Sequence, residues 1–368
     1  MSPEAAGLVI RGCCHVYFAL DIGFAVDLKR CVGMIQEVPE GGGVQHQTRA
    51  PAYLNLQPAP IRISQTIEPM RGQNFVTENK VTMTVYDFGA MSVEYRVPFE
   101  GTPADVAVLS SELYNNQQFA ADARARAELL LTTISPTVRR GKVQKEVEDY
   151  LIFAIPTLGD GQPNPTEILR ANRQALAQVL SSNTKTISHQ QQREELSRRL
   201  AYYDDDLTIV TWNAAFVFGT NMEDVLTVLE LANVQLRELH YLDDQLDDSL
   251  QEAHDLNAHA KSLRASMQRI RELMLDGQAF SEAVTNAFKP FPDAFLARIY
   301  TLASRAIGLH HFNQSIRDKL NLLNTLHTTL ADEAEHERSV RLEWIVIILI
   351  LIEVIMGFSD KFLSLFHR

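Results

Sequence analysis

The chain has 368 residues, 46% hydrophobic and 22% charged, the balance of globular domains with ordinary cores and not of a disordered polymer. Its net charge of −12 argues against non-specific nucleic-acid binding, which needs a clustered basic surface. The best such cluster, Arg124, Arg126, Arg139, Arg140, Lys142 and Lys145, is diluted by Glu128, Glu146 and Glu148, and no nucleic-acid partner is expected.

Three cysteines, Cys13, Cys14 and Cys31, form no CxxC pair and have no histidine at ligand spacing, which fits thiols buried as small hydrophobes in a reducing compartment. "MSPEAAGLVIRG" (1–12) carries no basic region before an apolar run and no Arg/Ser-rich character, so no export or transit signal is expected. Strands are predicted at "HVYFAL" (15–20), "IRISQTI" (61–67), "VTMTVYDFGAMSVEYRVPF" (81–99), "YLIFAI" (150–155) and "LTIVTWNAAFVFG" (207–219), where β-branched and aromatic residues sit between turn formers. In the third, "DFGA" breaks the run at Gly89, predicting a hairpin or a bulged long strand. Helices are predicted over 103–133, opened by Pro103, and over 166–203. The Gly- and Pro-rich segment 38–60 is predicted to be a long loop; its glycine triplet lacks the Lys-Ser/Thr of a phosphate-binding loop.

The second half changes character. No Pro or Gly occurs over 222–276, and Leu239, Leu242, Leu246, Leu250, Ala253, Leu256, Ala260, Leu263 and Met267 form one apolar stripe at about 100° per residue. Gly277 offers a stop and "KPFPD" (289–293) a break; Phe312, Ile316, Leu320, Leu323, Leu330 and Ala334 then form a second stripe. Two striped helices joined by a short broken segment predict an antiparallel, coiled-coil-like hairpin.

Candidate chemistry is sparse. Within 240–260, His240, Asp244, Asp247, Gln251 and His254 share one helix face, and imidazole and carboxylate at i, i+3 and i+4 can bind a divalent metal. That face lies opposite the leucine stripe, however, where a charged face ordinarily meets water. "DFG" (87–89) lacks every companion kinase motif, and "SNTK" (182–185) lacks those of the acyl-serine enzymes. His310 and His311 read as helix surface. No catalytic residues and no cofactor are expected.

The segment 344–358 contains eleven Ile, Leu, Val or Phe residues, together worth ~3 to 7 kcal/mol for membrane insertion against ~3 kcal/mol for the one carboxylate, Glu353. A transmembrane helix over 342–358 is therefore expected, with Trp344 at an interface and a C-terminal tail anchor. Neighbours of Glu353 at i±3 and i±4 are Leu349, Ile350, Met356 and Gly357, none able to pair with a charge. Glu353 is thus expected at a helix–helix contact, where Gly357 permits close approach.

At these residues the sequence resembles a known family. "RSVRLEWIVIILILIEVIMGF" (338–358) looks like the C-terminal hallmark of the "required for meiotic nuclear division" family. "VTMTVYDFGAMSVEY" (81–95), "VLELANVQLRELHYLDDQLDDSL" (228–250) and "FKPFPDAFLARIY" (288–300) are similar to a bacterial branch of such proteins. The resemblance implies a membrane-anchored scaffold or tether, linked in eukaryotic relatives to organellar translation, and it carries over only the anchor motif Arg341, Leu342, Glu343, Trp344 and Glu353.

The expected fold is an α+β domain (1–220), a long antiparallel helical hairpin (221–341), a transmembrane helix (342–358) and a short tail (359–368). The expected function is a non-enzymatic, self-associating scaffold, with the lipid bilayer and further copies of the chain as partners. It would lie in a bacterial or organellar inner membrane with its bulk on the cytoplasmic or matrix side. The alternative is a metal-dependent enzyme using the N-terminal domain or the acidic helix face 240–259.

Overall fold

A computed structural model describes residues 8–36, 45–47, 58–156, 164–219, 222–259, 268–272, 274–275, 277–279, 282 and 293–365. The chain divides into two compact units, Met1–Asp243 with Phe280–Gln314, and Asp244–Ala279 with Ser315–Arg368.

The first unit is α+β. Its described strands β1 (Ile10–Asp21), β3 (Gln45–Gln47), β4 (Ile61–Thr66), β5 (Lys80–Val85), β6 (Ala90–Gly101), β8 (Glu148–Pro156), β9 (Arg199–Leu200), β10 (Leu207–Val210) and β11 (Ala214–Gly219) make one sheet in the order β3-β4-β5-β6-β1-β8-β11-β10-β9. β8 and β11 pair parallel and the other neighbours antiparallel, so the sheet is mixed. Two short strands, β2 (Ala25–Val26) and β7 (Val138–Arg139), pair apart from it. Each strand expected from composition lies in this sheet. The segment 207–219 is a hairpin and not one run, because Trp212 and Asn213 turn the chain between β10 and β11. β3 lies inside the segment expected as a loop; most of the rest of 38–60 is outside the described residues.

The turn at 86–89 shows why local chemistry was readable there. Gly89 has φ +94°, and a Cβ on it would lie 1.7 Å from the Gly23 carbonyl oxygen, so only glycine can close β5 onto β6. After α1 (Leu28–Gln36), helix α2 (Pro103–Leu113) starts in the same self-sufficient way: the Thr102 hydroxyl accepts from the Asp105 amide while Asp105 accepts from Thr102 N–H, and Pro103 occupies the first turn. Helix α3 (Gln117–Ile134) follows, and the expected helix over 166–203 is instead three short ones: α4 (Pro165–Ala171), α5 (Arg173–Leu180) and α6 (His189–Glu195).

The sheet has two unlike faces. One carries Cys14, Val16, Phe18 and Leu20 of β1 with Met91, Val93, Tyr95 and Val97 of β6, and packs on α2, α3 and α5 in the main core. The other carries His15, Tyr17 and Asp21 with Ser92, Glu94 and Arg96, and the N-terminal part of α7 (Glu223–His259) covers it. A small apolar patch of Ala19, Tyr86, Phe88, Ala90, Leu231 and Val234 joins sheet to helix there. Helix α8 (Ala294–Ala306) completes the unit, with Tyr300 Oη donating to Gln235 of α7.

The second unit is helical in its described parts. Leu246, Ile270, Ile316 and Leu323 are buried, and Lys319 of α9 (Leu309–Leu365) reaches Asp247 at 2.7 Å. Gly277 is not a stop but lies in a helical turn, its Cα facing the Leu246 and Leu320 methyls. Glycine serves close packing there. Of the first stripe, the side chains of Ala253, Leu256, Ala260, Leu263 and Met267 lie outside the described residues, as do Leu330 and Ala334 of the second.

The transmembrane expectation is corrected. Among the described residues no helix is long and apolar enough to cross a membrane. Between Glu343 and Glu353 the uninterrupted apolar run is 344–352, nine residues, or about 14 Å of helix against the ~30 Å of a bilayer core. The anchor reading relied on residues 354–358, whose side chains lie outside the described set. The tail anchor and the inner-membrane location go with it.

Candidate functional site

The polar sheet face beneath α7 gathers the most unusual chemistry of the first unit. Because β1 and β6 pair in register, His15 stands opposite Arg96 and Tyr17 opposite Glu94. His15 Nδ1 lies 2.7 Å from Glu94 Oε1, and Arg96 Nε donates to the same oxygen at 3.0 Å. Burial pushes the Glu94 carboxyl up, but the hydrogen bonds and charges of His15 and Arg96 outweigh it and hold the group down at about 2. Two strands further out from β6, Arg62 of β4 donates to Glu230 of α7 at 3.1 Å, the Glu230 side chain being only 3% exposed. Burial raises the Glu230 carboxyl and the Arg62 charge opposes the rise.

At the other end of the face two carboxyl groups are buried without such help. Asp21 closes β1 and Glu238 projects from α7; they are 1% and 0% exposed, and among the described residues no well-aligned hydrogen bond reaches their carboxyl oxygens, the Gly23 amide lying only near Asp21. Burial lifts Asp21 to about 7, with Arg237 and the Gly23 amide opposing. Burial, then the charge of Asp21, lifts Glu238 well above the carboxylate range, with Arg237 again opposing. The Arg237 guanidinium approaches Glu146 at 4.0 Å. Burial and mutual repulsion thus favour the protonated form of this pair, with the Arg237 charge opposing.

The residues singled out as metal ligands are not brought together. His240 Nδ1 turns to Glu148 Oε2 at 3.2 Å and its ring meets Phe312 edge-on at 4.3 Å. Asp247 pairs with Lys319, Asp244 is exposed, and the His254 side chain lies outside the described residues. Among the described residues no group of three or more His, Cys, Asp or Glu could hold a metal ion. Of the anchor motif, Leu342, Glu343, Trp344 and Glu353 are exposed along α9, while the side chain of Arg341 lies outside the described residues, as does the burial of Gly357, expected at a helix–helix contact. Ser182 is tied to Ser110 at 3.0 Å and accepts from Asn213 at 2.9 Å, a structural knot at the end of α5. In the basic cluster, Arg124 donates to the Lys145 carbonyl, Arg126 pairs with Asp122 at 2.7 Å, and Arg139 lies over the Phe24 ring. Burial pushes the Cys13 thiol up to about 12 and the Cys31 thiol to about 11, so neither is a ready nucleophile.

Sequence reading missed His15, Arg62, Glu94, Glu230 and the Asp21/Glu238 pair. A period-two signal was present: His15, Tyr17 and Asp21 alternate with Val16, Phe18 and Leu20, and Glu94 and Arg96 with Tyr95 and Val97. Thr227, Glu230, Arg237 and Glu238 share one helix face ahead of the leucine stripe.

The second candidate surface is the apolar run of α9. All nine residues from Trp344 to Ile352 are exposed, between 48% and 61%. Neighbours on every side of the helix are equally open, so the run has no inward face.

In comparisons with known proteins, residues 11–224 match a family model described as uncharacterized protein MJ0711, N-terminal domain. No curated protein and no solved structure matches. The match overturns the resemblance to the "required for meiotic nuclear division" family. That resemblance rested chiefly on the apolar run 338–358, a composition that unrelated apolar helices share, whereas the matched region is the sheet domain.

Proposed function

The chain belongs to the family described as uncharacterized protein MJ0711, N-terminal domain, and from that premise we propose that it is a non-enzymatic scaffold that associates with further copies of itself through the helices of its second unit. The observation that carries this reading is the run 344–352, nine consecutive large apolar side chains each about half open to solvent. A helix that is apolar all round needs cover all round. Full burial of a Leu, Ile or Val side chain is worth roughly 1.5–3 kcal/mol, so covering the run releases on the order of 10 kcal/mol gross. Association costs several kcal/mol in lost freedom, which favours an arrangement in which several copies contribute the run together. Six of the nine residues are Ile or Val, a composition that in coiled coils shifts preference beyond two strands. Glu353 stands at the end of the run, where a contact with a neighbouring copy would supply the partner that its own helix lacks.

The absence of catalysis is supported by the state of the polar face. His15 and Glu94 are 7% and 8% exposed beneath α7, and a proton donor or acceptor must come within hydrogen-bond reach of substrate to act on it. Size-exclusion chromatography with light scattering on the full chain and on residues 1–341 tests the proposal. The full chain is expected as an oligomer and the shortened chain as a monomer; a monomeric full chain overturns self-association. Stoichiometric metal in the purified full chain would favour the metal-dependent enzyme instead.

A further inference from the structure

A cavity of about 750 Å³ opens in the first unit where the β9–β10 connection meets the starts of α7 and α8. Its walls are aromatic. Tyr202 and Tyr203 are 60% and 66% exposed, with ring centroids 4.6 Å apart and planes nearly perpendicular. Phe295 of α8 meets the other side of Tyr202 edge-on at 5.3 Å. Three rings thus surround one opening, and two of them present large faces to water although apolar cover lies nearby.

The charge of the lining has one sign. Asp205, Asp206, Asp224 and Asp293 line the cavity, and among the described residues no lysine, arginine or histidine does. Two of these acids have structural duties: Asp206 accepts from the Tyr202 and Tyr203 amides at 2.7 and 3.0 Å, and Asp293 caps α8 through the Leu296 amide at 2.8 Å. Backbone capping positions a carboxylate without cancelling its charge. The Asp224 carboxyl is pushed up by burial and then by the charge of Asp293, as expected where negative charges share a space. A hard divalent ion would need converging oxygen ligands, and among the described residues no such grouping exists.

We propose that this cavity binds an organic cation, an alkylammonium group seated against the faces of Tyr202, Tyr203 and Phe295 with its charge balanced by the surrounding aspartates. Aromatic faces attract weakly hydrated cations through the ring quadrupole, and quaternary ammonium recognition by aromatic walls follows from the same physics. A cavity of this volume is large enough to hold a small molecule carrying such a group, or a cationic side chain of a partner.

Isothermal titration of the full chain with tetramethylammonium chloride tests this against titration with calcium chloride. Saturable binding of tetramethylammonium is expected, weakened roughly tenfold by Tyr203→Leu and weakened also by Asp205→Asn, with calcium failing to compete. Both substituted side chains are exposed, so the variants are expected to fold; an unchanged unfolding midpoint checks it. No saturable tetramethylammonium binding overturns the proposal. Binding lost in Asp205→Asn but untouched by Tyr203→Leu, or displaced by calcium, also overturns it, because the site would then be an acidic surface and not an aromatic one.

Discussion

The two units bury opposite things. In the first, carboxylates and guanidinium groups lie under a helix, with Glu230 and Glu238 closed from water. In the second, the largest aliphatic side chains of α9 lie open. Each inversion of ordinary burial is costly unless compensated, and the compensation differs in kind. Under α7 it comes from within the chain, as ion pairs and as carboxyl groups whose burial favours the protonated form. Along 344–352 nothing within the described residues supplies it, and self-association does so in the proposal above. Substitutions in the first unit should therefore change folding stability and leave assembly alone, and substitutions in the second should do the reverse.

The largest effect is expected at Arg62. Arg62→Met leaves Glu230 buried without its cation and should destabilise the first unit by about 3–5 kcal/mol, whereas the double variant Arg62→Met/Glu230→Met should recover most of the loss. Urea unfolding followed by far-ultraviolet circular dichroism measures both, and an undisturbed midpoint in the single variant would remove Arg62 from the account.

In the second unit, Ile348→Asp places a charge in the middle of the run and should weaken association by about a hundredfold, on the order of 3 kcal/mol. The unfolding midpoint of the sheet domain should not move. Sedimentation velocity reads the first quantity, and a shared loss of assembly and stability would break the contrast between the units.

The pH dependence separates two kinds of buried acid. Glu94, held at about 2, contributes stability that is present above its ordinary value of 4.5 and is lost as pH falls from there through about 2. Asp21 is raised from 3.8 to about 7, and Glu238 is raised as well; they do the opposite, and stability falls as pH rises from about 4 toward 7. Each proton retained only by the folded state tilts the curve by about 1.4 kcal/mol per pH unit. The combined curve should peak in mild acid. Glu238→Gln should flatten the limb between pH 4 and 7 and raise stability at pH 8, which unfolding across pH 3–8 would show; a variant less stable than the parent at pH 8 contradicts the shared-proton reading.

The smallest effect is expected at Glu353. Glu353→Leu removes a polar contact between copies and should change the oligomer distribution by a few fold, visible in the same sedimentation experiment, without abolishing assembly. An unchanged distribution would take Glu353 out of the interface.

Much of the first unit was legible because its signals are local. The β-branched runs at 61–66 and 150–155, the glycine turn at 89 and the Thr102–Asp105 cap each involve residues within a few positions of one another. The three-way break of 166–203 was harder to see, because Asn164 and Ser188 cap short helices while Asn172 separates α4 from α5 within an otherwise helical composition. The acidic face of α7 was legible as charge and misleading as chemistry. His240 looked like a ligand beside Asp244 and Asp247, but its partner is Glu148, 92 positions away.

The sequence by itself determined where the main strands lie, that one turn must be glycine, and that the last helix carries an apolar stretch. Only the tertiary structure decided which polar residues are buried and with whom. Arg62 meets Glu230 across 168 positions and His15 meets Glu94 across 79, pairings fixed by sheet register and by the seating of α7. The physical reason is that a side chain's type sets what it needs, while its partner is chosen by long-range backbone pairing. That pairing follows from the whole chain's packing and not from any window of it.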